Sequence, residues 1–198
     1  MRAYALFAQR AANERSLVDR CWLVKLDEWG GLPMNDPATC EQHLRKALVT
    51  PLGLADRYVG FESQPANIEA ECARVAKWLD ENGPIDLCVL GLGLNGHVGF
   101  NEPDAILRPH VHIARLSAES LAHAMVDGCD TPPDYGLTLG MAGLLRSRHI
   151  LMIVTGAAKR GPLQRLLTGH ISTEFPASLL QLHHDVRLVC DAAAIGEG

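Results

Sequence analysis

The sequence predicts a modified Rossmann-like, doubly wound α/β fold, with a mostly parallel sheet and helices on both faces. Apolar runs that suit strands alternate with amphipathic segments that suit helices, an order typical of parallel sheets. The run from His149 to Thr155 is apolar without alternation, which predicts a strand buried on both faces. A glycine-rich turn with polar side chains follows the run from Asp86 to Leu92, where ligands bind in open α/β sheets. Because no repeat or linker interrupts this pattern, residues 1–198 are expected to form one domain.

The elements of the first half are predicted from spacing and from end signals. The clearest helix covers Asn67 to Asn82, where Asn67 is a suitable N-cap and Gly83-Pro84 ends the pattern. In chain order, the predicted elements are a helix over Met1–Glu14, a strand over Trp22–Leu26, a loop over Asp27–Pro37, a helix over Thr39–Val49 capped by Thr39, the helix over Asn67–Asn82 and the strand over Asp86–Leu92.

The second half continues the alternation after the glycine turn. The predicted elements are a strand over Val111–Leu116, a helix over Ser117–Val126 capped by Ser117, an extended segment over Gly136–Leu139 followed by a brief helix to Leu145, the strand over His149–Thr155, a helix over Ala158–Thr168 and a strand over Val186–Cys190.

The composition excludes several classes of function. The chain of 198 residues is 47% hydrophobic and 21% charged, which is ordinary for a globular protein. A net charge of -5 without a basic run disfavours nucleic acid and polybasic membrane contacts as partners. No apolar run reaches the ~18 residues that a spanning helix needs, and the N-terminal residues lack a signal peptide's apolar region. The six cysteines form no C-x-x-C pair, which predicts free thiols and a cytoplasmic location.

The glycine turn itself admits two interpretations. Gly91 to Gly96 formally matches G-x-G-x-x-G after a strand, the pattern of a dinucleotide site. That site requires a helix to begin there, whereas His97 to Pro103 is poor helix sequence and no acid follows at the expected spacing. We therefore favour the second interpretation, in which the glycines allow the backbone to pack closely around a sugar site.

A histidine in this turn is a candidate acid or base. His97 lies five residues before Glu102, and a carboxylate bonded to one ring nitrogen would fix the tautomer and support the other nitrogen as a base. Asn95 could supply part of the same orientation without a charge.

Two further candidates have plain structural alternatives. Asp27 and Glu28 follow the strand over Trp22–Leu26, which suits a general base but also a helix cap or a solvated turn. Lys159 follows a glycine turn at the start of a helix, where it could reach an anion held by free N–H groups, or could be a surface lysine.

The remaining histidines give weaker signals. The pairs His110/His112 and His183/His184 have no third ligand at a recognisable spacing, so we predict no metal site. His123 lies in a predicted helix from which it could face a substrate.

Taken together, these segments resemble the glucosamine-6-phosphate isomerase/deaminase family. The resemblance is carried by Leu26–Trp29, Gly93–Pro103, Gly136–Gly140 and Thr155–Lys159, and it extends from about Tyr4 to Asp191. The segments Val24–Trp29, Asp86–Gly93 and Pro176–Ser178 look most similar to the galactosamine-6-phosphate branch. The related 6-phosphogluconolactonases are similar around Gly96-His97 but lack the Asn-Glu-Pro that ends at Pro103, so Glu102 favours an isomerase.

The resemblance implies a reaction and a set of roles. The substrate would be a 2-amino-2-deoxyhexose 6-phosphate, converted to a ketose 6-phosphate and ammonia without a metal or organic cofactor. His97, held by Glu102 and Asn95, would open the sugar ring, and Asp27 would move the C2 proton to C1. By the same resemblance, the catalytic residues are Asp27, His97, Glu102 and Asn95, and the substrate-binding residues are Glu28, Gly96 and Lys159.

The chain departs from the family pattern in two places. The family's usual aspartate two residues before the histidine is Asn95 here. By the same resemblance, the galactosamine branch shares this asparagine. Family members also carry an N-terminal strand and a phosphate-cradling loop that this sequence lacks, so we expect the natural protein to be longer. A chain of this length would bind phosphate poorly, or would form a homo-oligomer that covers the open strand edge. The alternatives are a lactonase that uses His97 to activate water and an impaired relative that only binds a sugar phosphate.

Overall fold

The computed structural model describes residues 2–129 and 131–196. Met1, which the first predicted helix included, lies outside the described residues. Most predicted helices are present: Asn67 caps the longest one and Thr39 caps the second, each by accepting a backbone N–H through its side chain. In chain order the helices are α1 Arg2–Asn13, α2 Cys40–Leu44 with a π-helical continuation over Arg45–Val49, α3 Thr50–Leu52, α4 Ile68–Asn82, α5 Ala118–Leu121, α6 Met141–Leu145, α7 Arg160–Leu167 and α8 Ala192–Ile195, with 3₁₀ turns at Arg15–Leu17, Ala55–Arg57, Ala157–Lys159 and Pro176–Leu182.

The described strands pair in three small sheets. Two of the sheets are parallel, with strand orders β1-β3 and β4-β7-β8, and the third is antiparallel with order β2-β6-β5. The sequence analysis did not predict the antiparallel sheet. The strands are β1 Leu23–Val24, β2 Asp27–Gly30, β3 Tyr58–Val59, β4 Leu87–Leu90, β5 His112–Ala114, β6 Tyr135–Thr138, β7 His149–Val154 and β8 Val186–Cys190.

The main apolar core lies between the β4-β7-β8 sheet and the helices that pack on it. Val75 of α4 and Leu163 of α7 join Ile150 and Met152 of β7 in one buried cluster. Each such side chain stabilises the fold by roughly 1.5–3 kcal/mol relative to exposure. This core fixes the carboxyl end of β4, from which the glycine turn begins.

Two differences from the predicted boundaries have a clear structural cause. The loop predicted over Asp27–Pro37 is wrong at its start, because Asp27–Gly30 forms strand β2 and pairs with β6. The helix predicted over Ser117–Val126 ends at Leu121, and its next histidine, His123, accepts the Met125 N–H through Nδ1, a local bond that competes with the helix.

Strand β7 is also less enclosed than predicted. Ile150, Met152 and Val154 are buried, whereas Leu151 and Ile153 between them are half-buried. The prediction of a strand fully buried on both faces is therefore wrong for one face, although the strand itself and its parallel pairing are as expected.

Candidate active site

The turn after β4 places a histidine against tightly packed backbone. Gly96 has a φ of +92°, and a Cβ at this position would overlap the ring of Phe175. Gly99 has a φ of +58°, and a Cβ there would lie 2.8 Å from Oγ1 of Thr138. These conformations favour glycine, which has no Cβ. Residues 91–103 contain no helix, so the turn lacks the helix start that a dinucleotide site requires.

The imidazole of His97 is oriented by an amide. Its Nδ1 lies 2.8 Å from Oδ1 of Asn95, and the same oxygen accepts the His97 backbone N–H at 3.1 Å. The amide orientation follows from its other end, because Nδ2 donates to a carboxylate oxygen of Glu102 at 2.9 Å, and that carboxylate can only accept. Nδ1 of His97 therefore carries the hydrogen in the neutral ring, which leaves Nε2 as the basic nitrogen.

The carboxylate of Glu102 is the charged centre of this network. Besides Asn95, it accepts hydrogen bonds from the Ser120 hydroxyl and, at 3.3 Å, from the Ser117 backbone N–H. Burial alone would raise its pKa, but the interaction with His97 and the hydrogen bonds from Ser120 and Asn95 lower the pKa to about 2. Glu102 thus stays ionised and stabilises a proton on the imidazole, with Oε2 at 3.5 Å from Nδ1.

Asp27 lies where the chain passes from the parallel sheet of β1 into the antiparallel sheet of β2. Its backbone is paired with Thr138 of β6, and the Leu26 carbonyl just before it accepts the Leu139 N–H. Burial raises the pKa of Asp27 to about 6, and the neighbouring Glu28 charge contributes to the rise. A carboxyl group with this pKa can both take and return a proton near neutral pH.

The Asp27 carboxylate reaches the glycine turn that contains His97. One Asp27 oxygen lies 3.5 Å from the point where a Gly99 Cβ would be, two residues from His97. The His97 charge lowers the Asp27 pKa, which opposes part of the effect of burial. The two groups therefore interact electrostatically from neighbouring elements.

Lys159 supplies a positive charge near the same place. It is half-buried, burial lowers its pKa, and within residues 2–129 and 131–196 its ammonium makes no hydrogen bond or ion pair. Burial is the largest cause of the lowered pKa of His123, and the Lys159 and His97 charges lower it further. His123 therefore lies within the electrostatic reach of both groups. The Gly156 N–H in the preceding glycine turn is not free, because it donates to the Asp191 carboxylate.

Glu28 does not face the site. Its side chain is 0% exposed and is paired with the ammonium of Lys25 at 2.6 Å, so the predicted contact with a substrate is wrong for this structure. The cause is the alternation along β2, which turns the side chain of Glu28 away from that of Asp27. Gly96, the other predicted contact, uses its N–H for the Gly93 carbonyl and its carbonyl for the Ala177 N–H.

Sequence reasoning missed several residues of the site. Ser117 was predicted only as a helix cap, yet its hydroxyl also accepts from Asn95 at 3.1 Å. The Cys40 thiol acts on the Asp27 carboxyl and, as a hydrogen-bond donor, lowers the pKa of Asp27. The burial of Lys25 with an acidic partner could have been predicted from the sequence, because a lysine inside an apolar strand run requires a buried partner.

The part of the chain that the structure describes, residues 2–129 and 131–196, lacks two kinds of feature. No group of three or more histidine, cysteine or acidic side chains is arranged to hold a metal ion. Within the same residues, no helix combines the length and the apolar character needed to cross a membrane.

An imidazole oriented by Asn95 and a carboxyl of raised pKa are features that a proton-transfer site needs, and sequence comparison identifies the family of this α/β fold. The chain belongs to the enzyme family described as glucosamine-6-phosphate isomerases/6-phosphogluconolactonase, whose model matches residues 2–189.

Individual relatives agree with this assignment. The chain is 42% identical over 181 residues to "Putative deaminase AgaI" of Escherichia coli strain K12, covering 91% of this chain and 72% of the relative. It is 33% identical over 174 residues to a glucosamine-6-phosphate deaminase of Oceanobacillus iheyensis, covering 86% of this chain and 69% of that one.

A solved structure confirms the predicted fold class. The structure of a monomeric glucosamine-6-phosphate deaminase of the NagB superfamily matches with a TM-score of 0.89 at 29% identity, over 99% of this chain and 83% of that one. The chain therefore has the Rossmann-like α/β fold of this superfamily.

Proposed function

We propose that the protein isomerises and deaminates a 2-amino-2-deoxyhexose 6-phosphate. Transfer of the C2 proton to C1 gives an imine at C2, and water hydrolyses this imine to a ketose 6-phosphate and ammonia. The observation that carries the proposal is the position of the Asp27 carboxyl at the Gly99 turn, within electrostatic reach of the His97 imidazole. The names of the relatives agree with it, since each includes a deaminase.

Asp27 is the proposed base for the carbon-bound proton. Aldose–ketose conversion removes the C2 proton and returns a proton to C1, so one group must act as base and then as acid. With a pKa of about 6, both the protonated and the ionised form of Asp27 are accessible at neutral pH. A positioned group of this kind contributes roughly 10²- to 10⁴-fold to the rate.

His97 is the proposed catalyst of ring opening. With Nδ1 committed to Asn95, its Nε2 can take the proton from O1 while the sugar ring opens and then give it to the ring oxygen. The imidazolium formed on the way is stabilised by the Glu102 carboxylate 3.5 Å from Nδ1. Glu102 and Asn95 thus act through His97 as positioning residues.

Lys159 is the proposed partner of the phosphate. Its half-buried ammonium has no acidic partner among the described residues, and its charge reaches His123 beside the reacting groups. A phosphate dianion at Lys159 would hold a hexose with its C1–C2 end toward Asp27 and His97.

The experiment that tests this function measures ammonia from purified protein with a coupled glutamate dehydrogenase assay. Galactosamine 6-phosphate and glucosamine 6-phosphate are compared, because the relatives' names leave the configuration at C4 open. The expected result is ammonia release, with a preference for the galactosamine substrate, and its loss in Asp27→Asn. Thermal stabilisation by a non-hydrolysable hexitol 6-phosphate checks that Asp27→Asn still binds.

Two outcomes contradict the proposal. Hydrolysis of 6-phosphogluconolactone without ammonia from either hexosamine would assign the site to the lactonase chemistry of the same family. Ligand binding without turnover of any of these substrates would leave a sugar-phosphate binding protein.

A further inference from the structure

The molecule contains a buried lysine beside the proposed base that the reaction does not use. Lys25 is 0% exposed, and its three ammonium hydrogens are matched by Glu28 at 2.6 Å, by Glu41 at 2.7 Å and by the Phe61 carbonyl at 2.7 Å. A lysine is almost never fully buried unless it is paired, because its desolvation is costly. The ammonium of Lys25 is therefore a buried charge close to Asp27 that apolar packing alone would not require.

Glu28 is paired with the Lys25 ammonium and connects strand β2 to helix α2. Its Oε1 accepts the backbone N–H groups of Trp29 and Cys40, each at 2.8 Å. Its Oε2 accepts the Glu41 N–H at 2.8 Å together with the Lys25 ammonium. The Glu28 carboxylate thus ties the first residues of α2 to strand β2, directly beside Asp27.

This connection places a hydrogen-bond donor on the proposed base. Cys40 is the first residue of α2, its N–H is held by Glu28, and its thiol, acting as a hydrogen-bond donor, lowers the pKa of the Asp27 carboxyl. Because the backbone of Cys40 is fixed by Glu28, the position of the thiol depends on the same buried pair.

Four groups act on the Asp27 carboxyl besides burial itself. The Glu28 charge raises its pKa, whereas the His97 charge, the Cys40 thiol and the Lys25 charge lower it. Glu41, the second carboxylate on Lys25, is not among the groups that act most strongly on Asp27. Its own charge is also met by the Arg45 guanidinium at 2.6 Å and the Tyr58 hydroxyl at 2.7 Å.

We propose that Lys25 and Glu28 are positioning residues for the reaction, which hold Asp27 and the Cys40 thiol together and set the charge around the Asp27 carboxylate. This inference rests on the proposed role of Asp27 as the base. It assigns to Glu28 an indirect role in place of the substrate contact predicted from sequence.

The test compares three variants by two readouts. In Glu28→Gln the repelling charge is gone and Lys25 remains, so Asp27 should titrate at lower pH by about one pH unit. The double variant Lys25→Met/Glu28→Gln removes the remaining positive charge, so the titration should return part of the way toward the native value. Glu41→Gln is the matched control, because it breaks an equally short ion pair with Lys25 and should shift Asp27 least.

The first readout is the carboxyl titration of Asp27 by ¹³C NMR with labelled aspartate, assigned with Asp27→Asn. It requires no turnover, so it stays informative if ammonia release fails and the proposed function is wrong. The second readout is the pH dependence of kcat/KM on the acid side of its optimum. The ionisation of the substrate contributes equally in all variants, so differences between variants report on the enzyme. We expect kcat/KM of Glu28→Gln to fall tenfold to about a hundredfold, since a small displacement of the base is sufficient for such a loss.

The outcomes separate positioning from a purely structural role. Partial recovery in the double variant supports the proposal, because loss of a structural contact would make the double variant worse than the single one. An unchanged Asp27 titration in Glu28→Gln would overturn it, as would a shift in Glu41→Gln of equal size. If Glu28→Gln does not fold, the charge-neutral double variant alone should still titrate below the native protein.

Discussion

Replacing Glu102 with glutamine removes the charge that holds the histidine network together. The hydrogen bonds and the His97 charge lower the pKa of Glu102 from 4.5 to about 2, against the effect of burial. A difference of about 2.5 pKa units, at roughly 1.4 kcal/mol per unit, corresponds to about 3 kcal/mol of folding free energy. The side chain is 11% exposed, so solvent screening reduces this value little.

The sign of the pH dependence follows from the lowered pKa. The stabilisation is fully present above the unfolded pKa of 4.5 and is lost as the pH falls toward the folded pKa of about 2. Urea unfolding of the native protein and of Glu102→Gln at pH 7 and at pH 3 measures this difference. The two proteins should differ by about 3 kcal/mol at pH 7 and by clearly less at pH 3.

The control for this comparison is Glu119→Gln. Glu119 is an exposed carboxylate in α5, the helix that follows the Ser117 cap of the same network, so its removal should change little. An equal loss at both pH values in Glu102→Gln would refute the argument, because it would show that the lost stability comes from packing and not from the ionised carboxylate.

Three further predictions concern the turn, the amide and the phosphate end. Gly96→Ala should destabilise the protein by roughly 1–3 kcal/mol in thermal unfolding, because its positive φ and the Phe175 ring exclude a Cβ; Gly91→Ala, which meets nothing within 4 Å, is the control and should melt like the native protein. Asn95→Ala should lower kcat on the cyclic substrate by about tenfold to a hundredfold with little effect on an open-chain analogue, since the imidazole loses the acceptor that fixes its tautomer; equal losses on both substrates would contradict this. Lys159→Met should raise KM for the phosphorylated substrate about tenfold or more with an unchanged unfolding midpoint, and an unchanged KM would remove this lysine from the phosphate site.

The sequence predicted the elements that depend on local signals. Asn67 and Thr39 were correct as helix caps because a cap needs only a side chain that accepts from the backbone a few residues ahead. The glycine turn after β4 was expected from the strand that precedes it, a signal that needs no knowledge of the loops, whereas the roles of Asp27 and His97 stay predictions.

Local sequence patterns could not predict the contacts between segments that are distant along the chain. Strand β2 was missed because its pairing with β6 joins residues more than a hundred positions apart. The inward position of Glu28 depends on that pairing and on Lys25, so its predicted substrate contact was wrong. The expectations of a longer natural chain, a cytoplasmic location and a homo-oligomer stay predictions.

The most direct measurement follows the C2 hydrogen of the substrate. With galactosamine 6-phosphate deuterated at C2, proton NMR of the native protein in water should show loss of the label from C2, appearance of deuterium or solvent hydrogen at C1 of the ketose product, and ammonia in equal amount. Asp27→Asn should bind the sugar phosphate and leave the label at C2. Continued loss of the label from C2 in Asp27→Asn would contradict the assignment of this carboxyl group as the base.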